Sequence, residues 1–390
     1  MKATWDSSDF LTQMSILEKM INDENDIKRK CYLRKVLDST KKLYHEVFVS
    51  FPHPKVTAKQ RLSAILDSTL NYSRYYSIVS GFFKEACNSI PLIDTISEEL
   101  EQIDSDGNFD FLETGAYISE HQTLTLVDSF YSKFDEELYA YFLESYKNKE
   151  HTVRFDDLPS SNRKNDGSTM FIDGVRTNFV TIFRTDSIGT YQCAVHEYGH
   201  VISNLINPEV SYSERDDFFS EVAAIFPELV ALYENGPNAE PIQSLYYLYT
   251  TFITYINSAE YLCLHSPVLK TWADNKYKMS SAFFDSLKED YDLDDECFEE
   301  TLSTTIEDDG IYVLSFIVAL ELFHIYKEDK KKALKLFKEF LTYPANEDIL
   351  PFIMENISIN SHAGEEIESV LQSFHKELKM RRCWYAKMEY

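Results

Sequence analysis

The stretch Tyr191-Gln-Cys-Ala-Val-His-Glu-Tyr-Gly-His200 decides the prediction of both the fold and the site. Apolar residues recur around it at the spacing of one helix face, which predicts an α-helix. On a helix, positions four residues apart differ by only about 40° around the axis, so the imidazoles of His196 and His200 point the same way. Their nitrogen atoms can occupy two corners of a tetrahedron around one zinc ion. The sequence therefore predicts a helix that supplies two metal ligands.

Two other residues of this stretch have predicted roles. Glu197 lies about 60° from His200 around the same helix, near the predicted metal but poorly placed to bind it. This position favours a carboxylate that accepts a proton from water and later passes it to a leaving group. Gly199 costs the helix about 1 kcal/mol relative to alanine. A glycine here indicates close approach by another backbone or by a bound substrate.

A second helix, predicted between Asn207-Pro208 and Asn235-Gly-Pro237, carries the candidates for a third metal ligand. Glu221 lies among apolar residues of this helix, where a carboxylate without a partner is costly to bury. Metal binding would remove that cost, and an antiparallel helix pair would return Glu221 to the two histidines. Glu228, two turns later on nearly the same face, is the main alternative. Glu214, near the helix start, is a weaker one.

A low content of glycine and proline predicts a mainly α-helical protein. The 390 residues include only 10 glycines and 11 prolines, which separate long stretches rich in Leu, Glu, Lys and Tyr. Three segments with alternating or β-branched residues predict a small β-sheet, namely Thr152–Phe155, Met170–Val175 and Asn178–Phe183. Helices are predicted to end at proline-containing dipeptides, among them Ser266-Pro267 and Leu350-Pro351.

Two helical lobes around a central cleft are predicted, with the small sheet beside the metal helix, as in zincin-like folds. Residues 1–150 form the N-terminal helical lobe. Residues 151–390 form the lobe that carries the site, with the sheet at 151–184, the metal helices at 187–235 and further helices towards the C-terminus. No linker rich in Pro, Gly or Ser divides the chain. Two lobes that share an interface are therefore favoured over two independent domains.

The net charge indicates which classes of partner are excluded, and the cysteines indicate the redox state of the cellular compartment. The formal net charge of −27 repels nucleic acids and anionic membranes, so neither is predicted as a partner. The charge could attract basic substrates, although solubility alone accounts for it. Six dispersed cysteines without a Cys-x-x-Cys pair predict reduced thiols. The N-terminus lacks the apolar segment of a secretory signal, which predicts a cytoplasmic protein, with export without a cleaved signal as the alternative.

The motifs resemble those of the oligopeptidase F and thimet oligopeptidase family of zinc metallopeptidases. Asn178–Phe183 followed by Tyr191–His200 looks like the edge strand and the metal helix of that family. Phe218-Phe-Ser-Glu-Val-Ala-Ala224 resembles its second metal helix, which supplies a glutamate ligand. Asp308–Leu320 resembles the helix that carries a tyrosine near its start. The likeness covers roughly residues 165–355, and the chain is a shortened and divergent example.

The resemblance implies a helical body with a central channel, one catalytic zinc ion, and cleavage of short unfolded peptides. It implies Tyr312 as the donor that stabilises the oxyanion and Gly310 as a contact to the peptide backbone, although their register in the family pattern is ambiguous. A core aromatic is the alternative for Tyr312. Separately, the strand Asn178–Phe183 could pair with an extended peptide at a free edge, with Arg176 or Arg184 reaching a peptide carboxylate.

The predicted function is zinc-dependent hydrolysis of peptide bonds, with His196, His200 and Glu221 as metal ligands and Glu197 as general base. One alternative is a selective protease of the effector type that cuts one partner protein. Another is a helical binding module with a structural zinc ion, and a third is a zinc hydrolase that acts on something other than peptides. The pattern leaves open the cleavage position, the oligomeric state and the native metal.

Overall fold

The computed structural model describes most of the chain, namely residues 7–25, 27–44, 72–105, 118–147, 152–156, 167–172, 177–184, 187–207, 216–234, 241–274, 310–344 and 349–388. Within these residues the fold is mainly α-helical with one small sheet, which confirms the predicted class. The elements in chain order are α1 (Ser7–Asp23), α2 (Ile27–Tyr44), α3 (Tyr72–Ala86), α4 (Ile90–Ser105), α5 (Glu120–Phe134), α6 (Glu136–Lys147), β1 (Thr152–Asp156), β2 (Gly167–Ile172), β3 (Thr177–Phe183), α7 (Ser187–Ile206), α8 (Asp216–Tyr233), α9 (Pro241–Asp274), α10 (Gly310–Glu328), α11 (Lys330–Leu341), α12 (Leu350–Asn356) and α13 (Ala363–Met388).

Contacts divide the chain into two compact units that are discontinuous in sequence. Unit 1 comprises Met1–Pro54, Glu113–Ala239 and Phe337–Glu347, and it contains the three strands together with α7 and α8. Unit 2 comprises Lys55–Leu112, Glu240–Leu336 and Asp348–Tyr390. The lobes predicted at 1–150 and 151–390 are a different partition. They and the cleft between them stay predictions.

The sheet of unit 1 has the strand order β1-β3-β2. Strand β3 pairs in parallel with β1, where Val153 lies opposite Val180, and antiparallel with β2, where Thr169 lies opposite Val180. The expectation that Asn178–Phe183 forms an edge strand was therefore wrong, because β3 is the central strand of the described sheet. Both Val180 and Ile182 are fully buried, which is the environment that a central strand with β-branched residues favours.

A cluster of aromatic rings forms part of the core of unit 1. Phe134 of α5 contacts Phe226 of α8 and Phe337 of α11, with ring centroids 5.7 and 6.4 Å apart. Phe142 of α6 meets Tyr198 of α7 edge-on, with centroids 5.0 Å apart. These offset and edge-on geometries are the ones that aromatic quadrupoles favour. The cluster holds α7 and α8 against the helices that precede the sheet.

Unit 2 contains a polar cluster between α10 and the start of α13, in which His324, Glu321 and Glu366 are buried and His362 is partly exposed. The imidazoles of His324 and His362 stack, with centroids 3.9 Å apart. His324 Nδ1 lies 2.6 Å from a carboxylate oxygen of Glu366, and His362 Nδ1 lies 3.0 Å from Glu321. Glu321 also accepts a hydrogen bond from the backbone N–H of His362, the residue just before α13, at 3.0 Å. The carboxylate of Glu321 thereby satisfies an N–H group at the helix start.

Several prolines lie inside or at the start of helices, and three of them concern helix boundaries or kinks. The predicted helix end at Ser266-Pro267 was wrong, because α9 continues through it to Asp274. Leu350-Pro351 begins α12 and does not end a helix, since proline suits the first turn, where its missing N–H needs no partner. Pro227 lies within α8. A proline removes one helical hydrogen bond, and tertiary packing can offset that loss. No helix in the described ranges has the length and apolar character needed to cross a bilayer.

Candidate metal centre

Helices α7 and α8 approach each other closely at Gly199. A Cβ atom on Gly199 would lie 2.5 Å from the carbonyl oxygen of Ala223 and 2.6 Å from the Cα atom of Ala224. Both distances are shorter than carbon atoms tolerate, so only glycine permits this helix separation. The close approach expected at Gly199 is confirmed, and the partner is the backbone of α8.

The imidazoles of His196 and His200 lie on the face of α7 that meets α8, with ring centroids 4.8 Å apart. The carboxylate of Glu221 on α8 lies against both rings. His196 Nε2 is 3.5 Å from one carboxylate oxygen, and His200 Nε2 is 3.6 Å from the other. The ligand atoms of the three residues all lie within 4.8 Å of one another. The prediction that a helix pair brings these residues together agrees with this geometry.

These spacings suit a tetrahedral metal ion. At zinc–ligand distances of about 2.0–2.2 Å, two ligand atoms on a tetrahedron lie about 3.3–3.6 Å apart. The distances of 3.5 and 3.6 Å run from the two Nε2 atoms to different oxygens of Glu221, and each pair taken singly has the spacing of two tetrahedral ligands. Two imidazoles and one carboxylate are also a common ligand set of catalytic zinc. The His196 side chain is 21% exposed, whereas those of His200 and Glu221 are only 11% and 10% exposed.

The other ring nitrogen of each histidine is held by a residue of α8. His196 Nδ1 lies 2.8 Å from Glu228 Oε2, and His200 Nδ1 lies 2.7 Å from Ser220 Oγ. Gln192 donates a hydrogen bond of 2.6 Å to the second oxygen of Glu228. These contacts orient both rings so that Nε2 faces Glu221. Glu228, the main alternative ligand, instead contacts the far side of His196, and Glu214 lies outside the described residues.

The clustered carboxylates of the site favour a cation between them. Burial lowers the pKa of His196, but the hydrogen bond to Glu228 and the negative charges of Glu221, Glu228 and Glu197 outweigh this and raise its pKa to about 9. Burial, and next the charge of His196, hold the pKa of His200 well below its usual range. In the metal-free protein a proton on His196 therefore offsets the surrounding carboxylates at neutral pH. A bound metal ion would displace that proton and take over its role.

Glu197 lies on the side of α7 that faces strand β2, and the residue is only 4% exposed. Thr169 of β2 donates a hydrogen bond of 2.6 Å to Glu197 Oε2. Burial raises the pKa of Glu197 to about 7, and this rise is opposed by the charge of His196 and by the hydrogen bond from Thr169. A nearby dication would lower this pKa further. In the metal-free protein the carboxyl group is able to exchange a proton near neutral pH.

The three other predicted site residues do not belong to the helices α7 and α8. Tyr312 and Gly310 belong to α10 of unit 2, and Arg184 follows β3 in unit 1. Tyr312 is 41% exposed, which argues against the alternative of a core aromatic. The oxyanion and substrate-binding roles of these residues stay predictions. Arg176 lies outside the described residues.

Sequence reasoning missed the residues that orient the site. Ser220 and Gln192 carry no signal of their own, because their role depends on the rotation of α8 against α7. Thr169 lies 28 residues before Glu197, and only the packing of β2 on α7 brings the two together. Tyr131 of α5, whose hydroxyl donates 2.9 Å to the carbonyl oxygen of Val195, was also missed.

Replacing Gly199 by alanine is expected to lower the free energy of unfolding by about 1–3 kcal/mol, because the added methyl group would push α8 away. The matched control is Gly364→Ala in α13, where a Cβ atom would meet its nearest neighbour at 3.4 Å. That substitution is expected to raise the free energy of unfolding by up to about 1 kcal/mol. Denaturant unfolding measures both changes. Equal effects of the two substitutions would contradict the close helix contact at Gly199.

No protein-family model and no curated protein sequence matches the chain. Solved structures that resemble its fold include two with a TM-score above 0.5. One, from Bacillus anthracis str. Ames, is provisionally identified as an oligoendopeptidase F. It shares 12% of residues at a TM-score of 0.55, over 90% of this chain and 64% of that one.

The second structure is also provisionally identified as an oligoendopeptidase F. It shares 13% of residues at a TM-score of 0.54, over 94% of this chain and 66% of that one. This chain thus spans just under two thirds of the length of the structures that it resembles. At these identities the likeness shows that the chain shares the helical fold of oligoendopeptidase F.

Proposed function

We propose that the chain is a zinc-dependent peptidase that hydrolyses short peptides. The observation that carries the proposal is the convergence of His196 Nε2 and His200 Nε2 on the two oxygens of Glu221, at 3.5 and 3.6 Å. The shared fold with structures provisionally identified as oligoendopeptidase F supports it. The identification of those structures suggests peptides as their substrates, and our proposal extends this substrate class to the present chain.

In this proposal His196, His200 and Glu221 hold the metal ion. Zinc bound there would polarise the scissile carbonyl and make a water molecule more acidic. Glu197 accepts the proton of the attacking water and later donates it to the leaving nitrogen. Glu228 and Ser220 hold the two imidazoles by their Nδ1 atoms, so that the ligands need no rearrangement when metal binds. Tyr312 is the proposed donor to the oxyanion.

Strand β2 is proposed as the place where an extended peptide pairs. It bonds to β3 on one side only within the described sheet, whereas β3 has neighbours on both sides. Gly167 and Thr169 of β2 also lie against Glu197. Backbone pairing at the free side of β2 would run a peptide next to the general base. This replaces the expectation that Asn178–Phe183 itself offers the edge.

The number of ligands favours catalysis over a structural metal. Among the described residues, the group that could hold a metal ion consists of His196, His200 and Glu221. Structural zinc sites are almost always closed by four protein ligands, whereas catalytic sites have three and leave one position for water or substrate. A three-residue group therefore favours the peptidase over a binding module with a structural zinc ion.

The direct test uses the wild-type protein. We expect about one zinc ion per chain, hydrolysis of a mixed library of short unfolded peptides, loss of hydrolysis after a chelator, and its return when zinc is restored. Elemental analysis and mass spectrometry of the peptide products measure these outcomes. Bound zinc without any hydrolysis would favour the structural metal, and cleavage of a single folded protein would favour the selective protease. Absence of any bound metal ion would contradict the metal centre itself.

A further inference from the structure

Strand β2 presents Gly167 and Thr169 to the general base proposed above. Residues two apart on a strand lie on the same face. Thr169 Oγ1 is 2.6 Å from Glu197 Oε2. A Cβ atom on Gly167 would lie 2.5 Å from Glu197 Oε1. The two residues therefore meet the two different oxygens of one carboxylate.

The hydroxyl of Thr169 has one hydrogen to donate and two acceptors within reach. Its oxygen is 2.6 Å from Glu197 Oε2 and 3.1 Å from the backbone carbonyl oxygen of Glu197. The shorter contact leads to a group that carries charge when ionised, and charge-assisted hydrogen bonds are the stronger ones. The carbonyl oxygen already belongs to the hydrogen-bonding pattern of α7. The hydrogen of Thr169 therefore points to the carboxylate.

We propose that Thr169 is a positioning residue that holds Glu197 by Oε2, so that Oε1 is the oxygen that takes up the proton. This inference rests on the proposed function. The proton moves from the attacking water to Glu197 Oε1, and Thr169 keeps its own hydrogen throughout. Once Oε1 is protonated, Oε2 is a carbonyl oxygen and still accepts from Thr169, so the side chain stays in place between proton uptake and proton release. Gly167 leaves the space that Oε1 occupies.

The chain offers a matched control for this role. Thr181 lies on β3 of the same sheet and is 2% exposed. Its hydroxyl oxygen is buried and has no hydrogen-bond partner among the described residues. Thr181→Val therefore removes a hydroxyl from the same sheet without touching Glu197. Thr169→Val and Thr169→Ser complete the set, because valine keeps the shape of threonine without the hydroxyl and serine keeps the hydroxyl.

Steady-state kinetics on zinc-loaded proteins test the proposal. We expect Thr169→Val to lower kcat by about 10-fold to 100-fold, the cost of a slightly misplaced catalytic group. KM and zinc content should stay near the wild-type values. Thr169→Ser should recover most of kcat, and Thr181→Val should match the wild type. Gly167→Ala, which adds a methyl group against Oε1, should also lower kcat.

Two outcomes would overturn the inference while peptidase activity remains. In one, Thr169→Val keeps the wild-type kcat. In the other, kcat and zinc content fall while KM rises, which would make Thr169 a support of the sheet. If the wild-type protein hydrolyses no peptide, the proposed function fails instead. Crystal structures of metal-free Thr169→Val and Thr169→Ser then test the positioning itself. Glu197 should be displaced in the first and unchanged in the second, and an unmoved Glu197 in both would refute the role.

Discussion

Replacing Glu197 by glutamine is expected to lower kcat by about 10²–10⁴-fold, the usual contribution of a positioned general base. Glutamine has nearly the same shape and can still accept the hydrogen bond from Thr169, but it cannot take a proton from water. The loss should therefore appear in kcat, with KM changed little. Hydrolysis of the best peptide from the library, followed at several enzyme concentrations, measures the change.

Measuring the zinc content distinguishes loss of the general base from loss of the metal ion. Glu197 is not among the three residues whose ligand atoms converge, so Glu197→Gln should keep about one zinc ion per chain. The substitution also removes a buried carboxyl group and leaves Thr169 with an acceptor, so the unfolding midpoint should not fall. Equal turnover by the variant and the wild type would remove Glu197 from the mechanism. Loss of zinc from the variant would give Glu197 a role in metal binding instead.

The second large effect is expected at Glu221. Glu221→Ala removes one of the three converging ligands, and metal affinity should fall by more than the roughly 10–100-fold that loss of an outer hydrogen-bond partner costs. Isothermal titration of the metal-free protein with zinc measures the affinity directly. Zinc should also raise the unfolding temperature of the wild type, because a ligand that binds only the folded state stabilises it. That rise should be absent in Glu221→Ala.

Glu228→Ala is the matched comparison, since it removes a buried glutamate two turns along the same helix. Glu228 contacts Nδ1 of His196 at 2.8 Å and not the Nε2 atom that faces Glu221. We expect zinc affinity to fall by about 10–100-fold, with most sites still filled at micromolar zinc. Full zinc retention by Glu221→Ala together with loss in Glu228→Ala would exchange the two roles. Far-UV circular dichroism checks that each variant is folded.

The helical fold and the three candidate ligands could be predicted from the sequence on simple physical grounds. Helical periodicity fixes which residues share a face, so His196 and His200 could be aligned without any coordinates. Glu221 followed from the cost of burying a carboxylate among apolar neighbours. Both inferences depend on local geometry, which a sequence expresses directly.

What the sequence could not predict depends on how separate elements meet. Strand order is set by long-range pairing, so the local pattern of Asn178–Phe183 does not indicate that β3 is the central strand. The contact from Thr169 to Glu197 requires the packing of β2 on α7, and Ser220 requires the rotation of α8. The predicted helix end at Pro267 was wrong because the energetic cost of a proline is local, whereas the packing that offsets it is not. The position of Tyr312 in unit 2 is likewise a tertiary property.

The contacts that orient the histidines of the candidate metal centre join residues that are close in sequence. This closeness influences the order in which the site assembles during folding. Ser220 reaches His200 across 20 residues, and Glu228 reaches His196 across 32, all within one pair of consecutive helices. The entropy of closing a chain segment grows with its length, so this hairpin closes at less entropic cost than a pairing of distant parts of the chain. The pair α7 and α8, with the contacts that orient its histidines, can therefore close before the more distant parts of unit 1 meet.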